Sequence, residues 1–172
     1  MQNVMNVIFL DIDGVLNSNF WNDAHQKEIS DGTLIDYEKI KILSTLVTEF
    51  SAQIILHSGW KYWFDDNINP LRAESEKLSK MLLECGMVIH GITPDLATEE
   101  IKRTKKFSLV KADEILQWLS EHPNNHWIVI DDLDLHNEEI RKHQIKTDSN
   151  VGLTENDIGK ARKLFHEQAC QK

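Results

Sequence analysis

The sequence predicts an α/β fold, a three-layer α/β/α sandwich around a mainly parallel central sheet. Three observations lead there. Short apolar runs alternate along the chain with stretches of helical periodicity. Alternation of this kind builds a parallel sheet with helices on both faces. The apolar runs also end in polar residues with chemistry to offer: Asp11 and Asp13 after the first, Ser58 after the second, Asp131 and Asp132 after the fourth. In an open parallel sheet, ligands bind at the carboxyl ends of the strands, so these residues should gather on one edge.

Residues 4–10 read as the first strand. Residues 17–35 show no clear period and contain Gly32, which reads as an insertion forming a small flap. Asp36 can cap a helix whose apolar positions Ile40, Leu43, Val47 and Phe50 recur at helical spacing. Residues 53–57 form a second strand that runs into Ser58-Gly59. A helix over 71–85 places Leu78, Leu82 and Cys85 on one face, and Gly86 stops it. Residues 87–90 read as a short third strand, and 91–106 as a polar loop. The spacing predicts a helix over 108–120 with Leu109, Ala112, Leu116 and Leu119 inward. A fourth strand covers 127–130 and a fifth covers 144–147. Thr154 caps a last helix with Ile158, Ala161, Leu164 and Phe165 inward.

With 172 residues, the chain suits one domain spanning 1–172 and can bury a substantial core. Its 41% hydrophobic and 27% charged residues are ordinary for a soluble globular protein. The net charge of -9 gives no global attraction to nucleic acid or to an anionic membrane. Cys85 and Cys170 are far apart without C-x-x-C spacing, which argues against a disulfide framework or a zinc site. A reducing cytoplasmic setting is expected. The apolar run at 7–10 is too short for a signal or membrane-spanning segment, so no membrane partner is expected.

Asp11 and Asp13 pose a physical question. Two carboxylates at the end of a buried strand repel each other and lose hydration. A divalent cation offsets that cost, and three or four carboxylates with a hydroxyl suit Mg2+. One Asp can then attack phosphorus, while another passes a proton to the leaving oxygen and later takes one from water. The phosphoryl oxygens need hydrogen-bond donors and positive charge. Ser58 can donate, and Lys111, near the start of its helix, can reach the same edge; Lys105 and Lys106 are its rivals. An EF-hand is excluded because Gly14 comes too early and no Glu closes the loop. His122 and His126 flank Pro123 and read as loop residues. Trp60, Tyr62, Trp63 and Phe64 follow Ser58 and serve either packing or base stacking. The basic run at 102–106 is either a solvated loop or a substrate clamp.

D-x-D-G-V-L after a strand, a Ser after strand two, and a Lys upstream of an apolar strand ending in D-D resemble the haloacid dehalogenase (HAD) superfamily. More narrowly, FLDIDGVLN, Ser58-Gly59-Trp60-Lys61, IDD and the late V-G-L-T are similar to HAD-like domains grouped with Swiss Army Knife RNA repair proteins. The resemblance implies a Rossmann-like sheet with a small or absent cap. It implies Asp11 as nucleophile and magnesium ligand, and Asp13 as acid/base and main-chain magnesium ligand. Ser58 would hold a phosphoryl oxygen that Lys111 neutralises, with Gly14 and Gly59 completing the substrate-binding set. Asp132 is expected as the direct metal ligand, with Asp131 its near neighbour. His57 departs from the family pattern, which has a small polar residue there. The expected activity is magnesium-dependent hydrolysis of a phosphomonoester through an aspartyl-phosphate. The expected substrate is a phosphorylated small molecule, a nucleotide or a nucleic-acid end. The alternative is a catalytically weak HAD-like module that binds a protein partner or a phosphorylated ligand. The intact set Asp11, Asp13, Lys111 and Asp132 speaks against it, since simple binding has no need of both leading carboxylates.

Overall fold

In the computed structural model, which describes residues 4–123 and 125–171, five strands form one sheet. The chain runs β1 (Asn6–Leu10), α1 (Asn19–Ala24), α2 (Gln26–Ser30), α3 (Tyr37–Phe50), β2 (Gln53–Leu56), α4 (Ala73–Glu84), β3 (Ile89–Ile92), α5 (Glu99–Thr104), α6 (Ser108–Glu121), β4 (His126–Asp131), α7 (Glu138–His143), β5 (Gln144–Lys146) and α8 (Glu155–Cys170). A 3₁₀ helix at Gly59–Trp63 follows β2. The strand order is β3-β2-β1-β4-β5, and every neighbouring pair is parallel. Leu10 lies opposite both Leu56 and Ile130, so the three central strands end level. The ladder continues one step further, with the Asp11 amide donating to the Ile130 carbonyl at 3.0 Å and His57 to Leu10 at 3.1 Å.

Alternation along the strands divides the core in two. Ile8, Leu10, Ile54, Leu56, Ile128 and Ile130 face one layer, packed with Ile40 and Leu43 of α3, Leu78 and Leu82 of α4, and Ile158, Ala161 and Phe165 of α8. Val7, Phe9, Ile55 and Val129 face the other, against Ala112, Ile115 and Trp118 of α6 and Ile140 of α7. Fully burying an Ile or Leu side chain stabilises by about 1.5–3 kcal/mol, so these two faces fix the sheet far more firmly than local propensity does. No helix among the described residues is long and apolar enough to cross a membrane.

Five expectations need correction. Residues 17–35 hold two short helices; the Ser18 hydroxyl caps α1 by accepting from the Trp21 amide, and Trp21 stacks on His25. Residues 91–106 are not all loop, because β3 runs on to Ile92 and α5 begins after its cap Thr98. The buried stripe of α6 is Lys111, Ala112, Glu114, Ile115 and Trp118, while Leu109 is exposed. Ala112 is buried and Leu116 and Leu119 are partly buried against the core as expected, but two charged residues share that inward face. His126 opens β4 rather than lying in a loop. No helix is expected between the fourth and fifth strands, yet α7 lies there. It buries only Ile140 and is set up by its ends, with the Asn137 cap and two acids at the start and Arg141, Lys142 and His143 at the close.

Candidate active site

The level ends of β1, β2 and β4 bring the predicted residues to one edge. Asp11, the first residue past β1, is buried, and its Oδ2 lies 3.1 Å from Lys111 Nζ. The same ammonium donates to Asp131 Oδ2 at 2.7 Å. The Leu133 amide satisfies the other Asp131 oxygen at 2.8 Å. Lys111 sits in the first turn of α6, and helical side chains lean towards the N-terminus, which carries its ammonium to the sheet edge. Asp132, half-buried, completes the group. One oxygen from each of Asp11, Asp131 and Asp132 lies within 4.8 Å of the others.

Three carboxylates around one lysine leave an excess of negative charge, and each carboxyl group responds. Burial, followed by repulsion from Asp131, pushes Asp11 up to about 7 against the pull of Lys111. Burial raises Asp131, and burial together with the Asp11 charge raises Asp132. Burial alone would lower Lys111, but Asp11 and Asp131 overcome it and hold the ammonium protonated. His57 lies under the group, its Nε2 3.4 Å from Asp131 Oδ2, with neither ring nitrogen hydrogen-bonded among the described residues. Burial, then the Lys111 charge, lowers its pKa and keeps the ring neutral.

Asp13 is held apart from this group at the rim. Asn17 Nδ2 donates to its Oδ1 at 2.9 Å, and the Trp60 indole donates to its Oδ2 at 3.1 Å. Asn17 also accepts from the Gly14 amide at 2.9 Å, closing the turn after β1. Gly14 has φ +76, and a Cβ there would lie 2.5 Å from the Asp132 carboxyl carbon. Only glycine lets the chain turn there and lets Asp132 approach. Ser58 is buried; its Oγ accepts from the Trp60 amide at 3.2 Å, which leaves the hydroxyl proton free to donate.

A cleft of ≈ 760 Å³ opens over these groups. All the predicted site residues line it except Asp131, which lies beneath. Asn17, Trp60, Trp63, Arg72, Lys105 and Phe107 line it as well. Of the aromatic stretch, Trp60 and Phe64 are buried in packing, whereas Trp63 is partly open to the cleft. Of the basic run, Lys102 turns to Asp95 at 3.0 Å and Lys105 reaches the cleft. Asn17 could have been found from its place four residues after Asp13, where a short amide can tie the turn. Nothing local marks Arg72, which arrives through a remote loop. A second cavity of ≈ 610 Å³, lined by Lys61, Tyr62, His90 and Asp95 among others, contains none of the predicted site residues.

The comparisons with curated proteins and with solved structures found no match. A family model does match, over residues 7–158, and it is described as the HAD domain in Swiss Army Knife RNA repair proteins. The matched span runs from β1 into α8 and takes in every residue of the carboxylate–lysine group. With the parallel sheet and its acidic edge, this makes the chain a member of the HAD domain family found in Swiss Army Knife RNA repair proteins.

Proposed function

We propose that this HAD-type hydrolase domain is a magnesium-dependent phosphatase that cleaves a phosphomonoester through an aspartyl-phosphate on Asp11. One observation supports this above the rest: Asp11, Asp131 and Asp132 converge within 4.8 Å of one another around a single lysine. Their hard oxygen donors and surplus negative charge fit Mg2+, which when bound would neutralise charge on the phosphoryl oxygens. Asp132 and Asp11, both on the cleft wall, are the direct ligands in this reading, with Asp131 tied to Lys111 beneath.

Asp11 forms the new bond to phosphorus as the ester P–O bond breaks. Asp13 gives the leaving oxygen its proton, then takes one from the water that cleaves the Asp11–phosphorus bond. Its two fixed donors, Asn17 and Trp60, hold the carboxyl in one orientation for both steps. The Ser58 hydroxyl and the Lys111 ammonium bind the phosphoryl oxygens. The substrate class we favour is a nucleotide or nucleic-acid end, because Phe107, partly exposed, offers aromatic surface on the cleft wall.

Phosphate release from nucleotides, oligonucleotide ends, sugar phosphates and p-nitrophenyl phosphate tests the reading. Activity should require magnesium, and calcium should fail to replace it, since calcium takes more ligands at longer distances. No release from any phosphomonoester, or full activity in excess chelator, would overturn it.

A further inference from the structure

Hydrolysis does not use two cations that share the cleft, Arg72 and Lys105. Among the described residues neither forms a salt bridge, whereas the nearby Lys102 is paired with Asp95. Arg72 is built into its place. Its guanidinium lies over the Trp63 ring, 5.2 Å from the centroid. The chain leaves the 3₁₀ helix at Trp63 and returns, closed by a bridge between Phe64 and Pro70 and by the Leu71 amide donating to the Trp63 carbonyl at 2.8 Å. Ser75, fully buried, locks the return; its Oγ donates to the Trp63 carbonyl at 2.9 Å and accepts from the Arg72 amide at 3.2 Å. This cation–π contact uses none of the guanidinium N–H donors, which leaves them for the cleft that Arg72 lines. Lys105 ends α5 with φ +55, a conformation that glycine would adopt more easily.

The electrostatics of the cleft give these two residues meaning. Asp11, Asp13 and Asp132 line the reacting end, and the chain as a whole carries -9. A substrate with one phosphate meets Lys111 and Ser58. A second anionic group on the same substrate would be repelled everywhere in the cleft except beside unpaired cations. Arg suits this role because its planar fork binds phosphate or carboxylate through two parallel hydrogen bonds.

We propose that Arg72 and Lys105 hold a second anionic group of the substrate, distinct from the phosphoryl group that is cleaved, and so select doubly anionic phosphomonoesters. The catalytic side of this inference rests on the phosphatase reading. A chain phosphate of a nucleotide and the second phosphate of a sugar bisphosphate share the chemistry, so both are tested.

The experiment compares kcat/KM for an adenosine bisphosphate phosphorylated on both sides of the ribose, fructose bisphosphate, AMP and p-nitrophenyl phosphate. It uses wild type, Arg72→Ala/Lys105→Ala, Arg72→Gln and Arg72→Lys, each checked for folding by its melting curve. In the double variant, the loss on one bisphosphate should exceed the loss on p-nitrophenyl phosphate by at least about tenfold, carried by KM. The bisphosphate that shows the excess identifies the source of the anion. Arg72→Lys should keep part of the preference and Arg72→Gln little. Equal losses on all substrates would overturn the proposal. Calorimetric binding of the bisphosphates and AMP to the Asp11→Asn protein provides a readout without turnover. A bisphosphate preference that the double variant removes upholds the site, even if wild type hydrolyses nothing and the phosphatase reading falls. Hydrolysis without any such preference leaves that reading intact and overturns this one.

Discussion

Two lysines are buried among the described residues, and their surroundings differ in charge balance. Lys61 meets one carboxylate, Glu114, at 2.7 Å, and gives a further hydrogen bond to the Pro94 carbonyl at 3.0 Å. The second Glu114 oxygen accepts from the Leu96 amide at 2.9 Å. One positive and one negative charge thus close on each other and on the backbone, linking the turn after Ser58, α6 and the 94–96 segment. Lys111 stands one helical turn before Glu114 and faces Asp11 and Asp131, with Asp132 beside them. A balanced buried pair fixes structure. A buried group with surplus charge is a liability to folding, and such liabilities mark sites where something else must bind or react. The two groups are also neighbours along the chain: Lys61 shares the Ser58 turn, and Glu114 shares the helix of Lys111.

The largest effect should come from unbalancing the balanced pair. Lys61→Met strands Glu114 in the interior and should lower stability by about 3–5 kcal/mol in urea unfolding. Lys61→Met/Glu114→Leu should recover most of that, leaving about 1 kcal/mol for the lost partner of the Leu96 amide. A single variant as stable as wild type would erase the contrast between the two lysines. Gly14→Ala should cost about 1–3 kcal/mol for its left-handed backbone. Its methyl group would also meet the Asp132 carboxyl, at 2.5 Å without adjustment, so turnover should fall even in protein that remains folded. Melting curves beside phosphate release separate the two losses.

A further effect is pH-dependent, and its sign follows from the direction of each shift. Asp11 has a folded value of about 7 against an ordinary 3.8, so between these the unfolded chain releases a proton that the folded chain keeps. Stability therefore falls as pH rises through that window, and Asp131 acts in the same direction. His57 acts oppositely: below its ordinary 6.5 the unfolded ring takes up a proton that the buried ring refuses, so stability falls as pH drops. Subtracting wild type from Asp11→Asn isolates the first contribution. In metal-free buffer the difference in melting temperature should be near zero below pH 3.8 and grow in favour of the variant up to about pH 7. A difference that shrinks across that window would contradict the assignment.

Much of this was legible in the sequence, and the rest was hidden for physical reasons. The apolar strands stop abruptly at Asp11, Ser58 and Asp131, and parallel strands that end level place such residues together. Lys111 could be chosen from its place at the start of a helix. The inward placement of Ala112, Leu116 and Leu119 could be read as well, but not the burial of Glu114 beside them, because periodicity reads a charged residue as facing solvent. Helix α7 has one buried apolar residue and so no stripe to read. Arg72 reaches Trp63 through a returning loop pinned by Ser75, a tertiary placement that no local pattern encodes.

The central claim is that the Lys111 group exists for reaction and the Lys61 group for structure. It is tested most directly by measuring phosphate release with magnesium, and melting temperature without it, on one preparation of Asp11→Asn above pH 7. The account predicts that turnover falls by at least about a thousandfold while the variant melts at or above the wild-type temperature. Retained turnover, or a loss of stability like that of Lys61→Met, would contradict it.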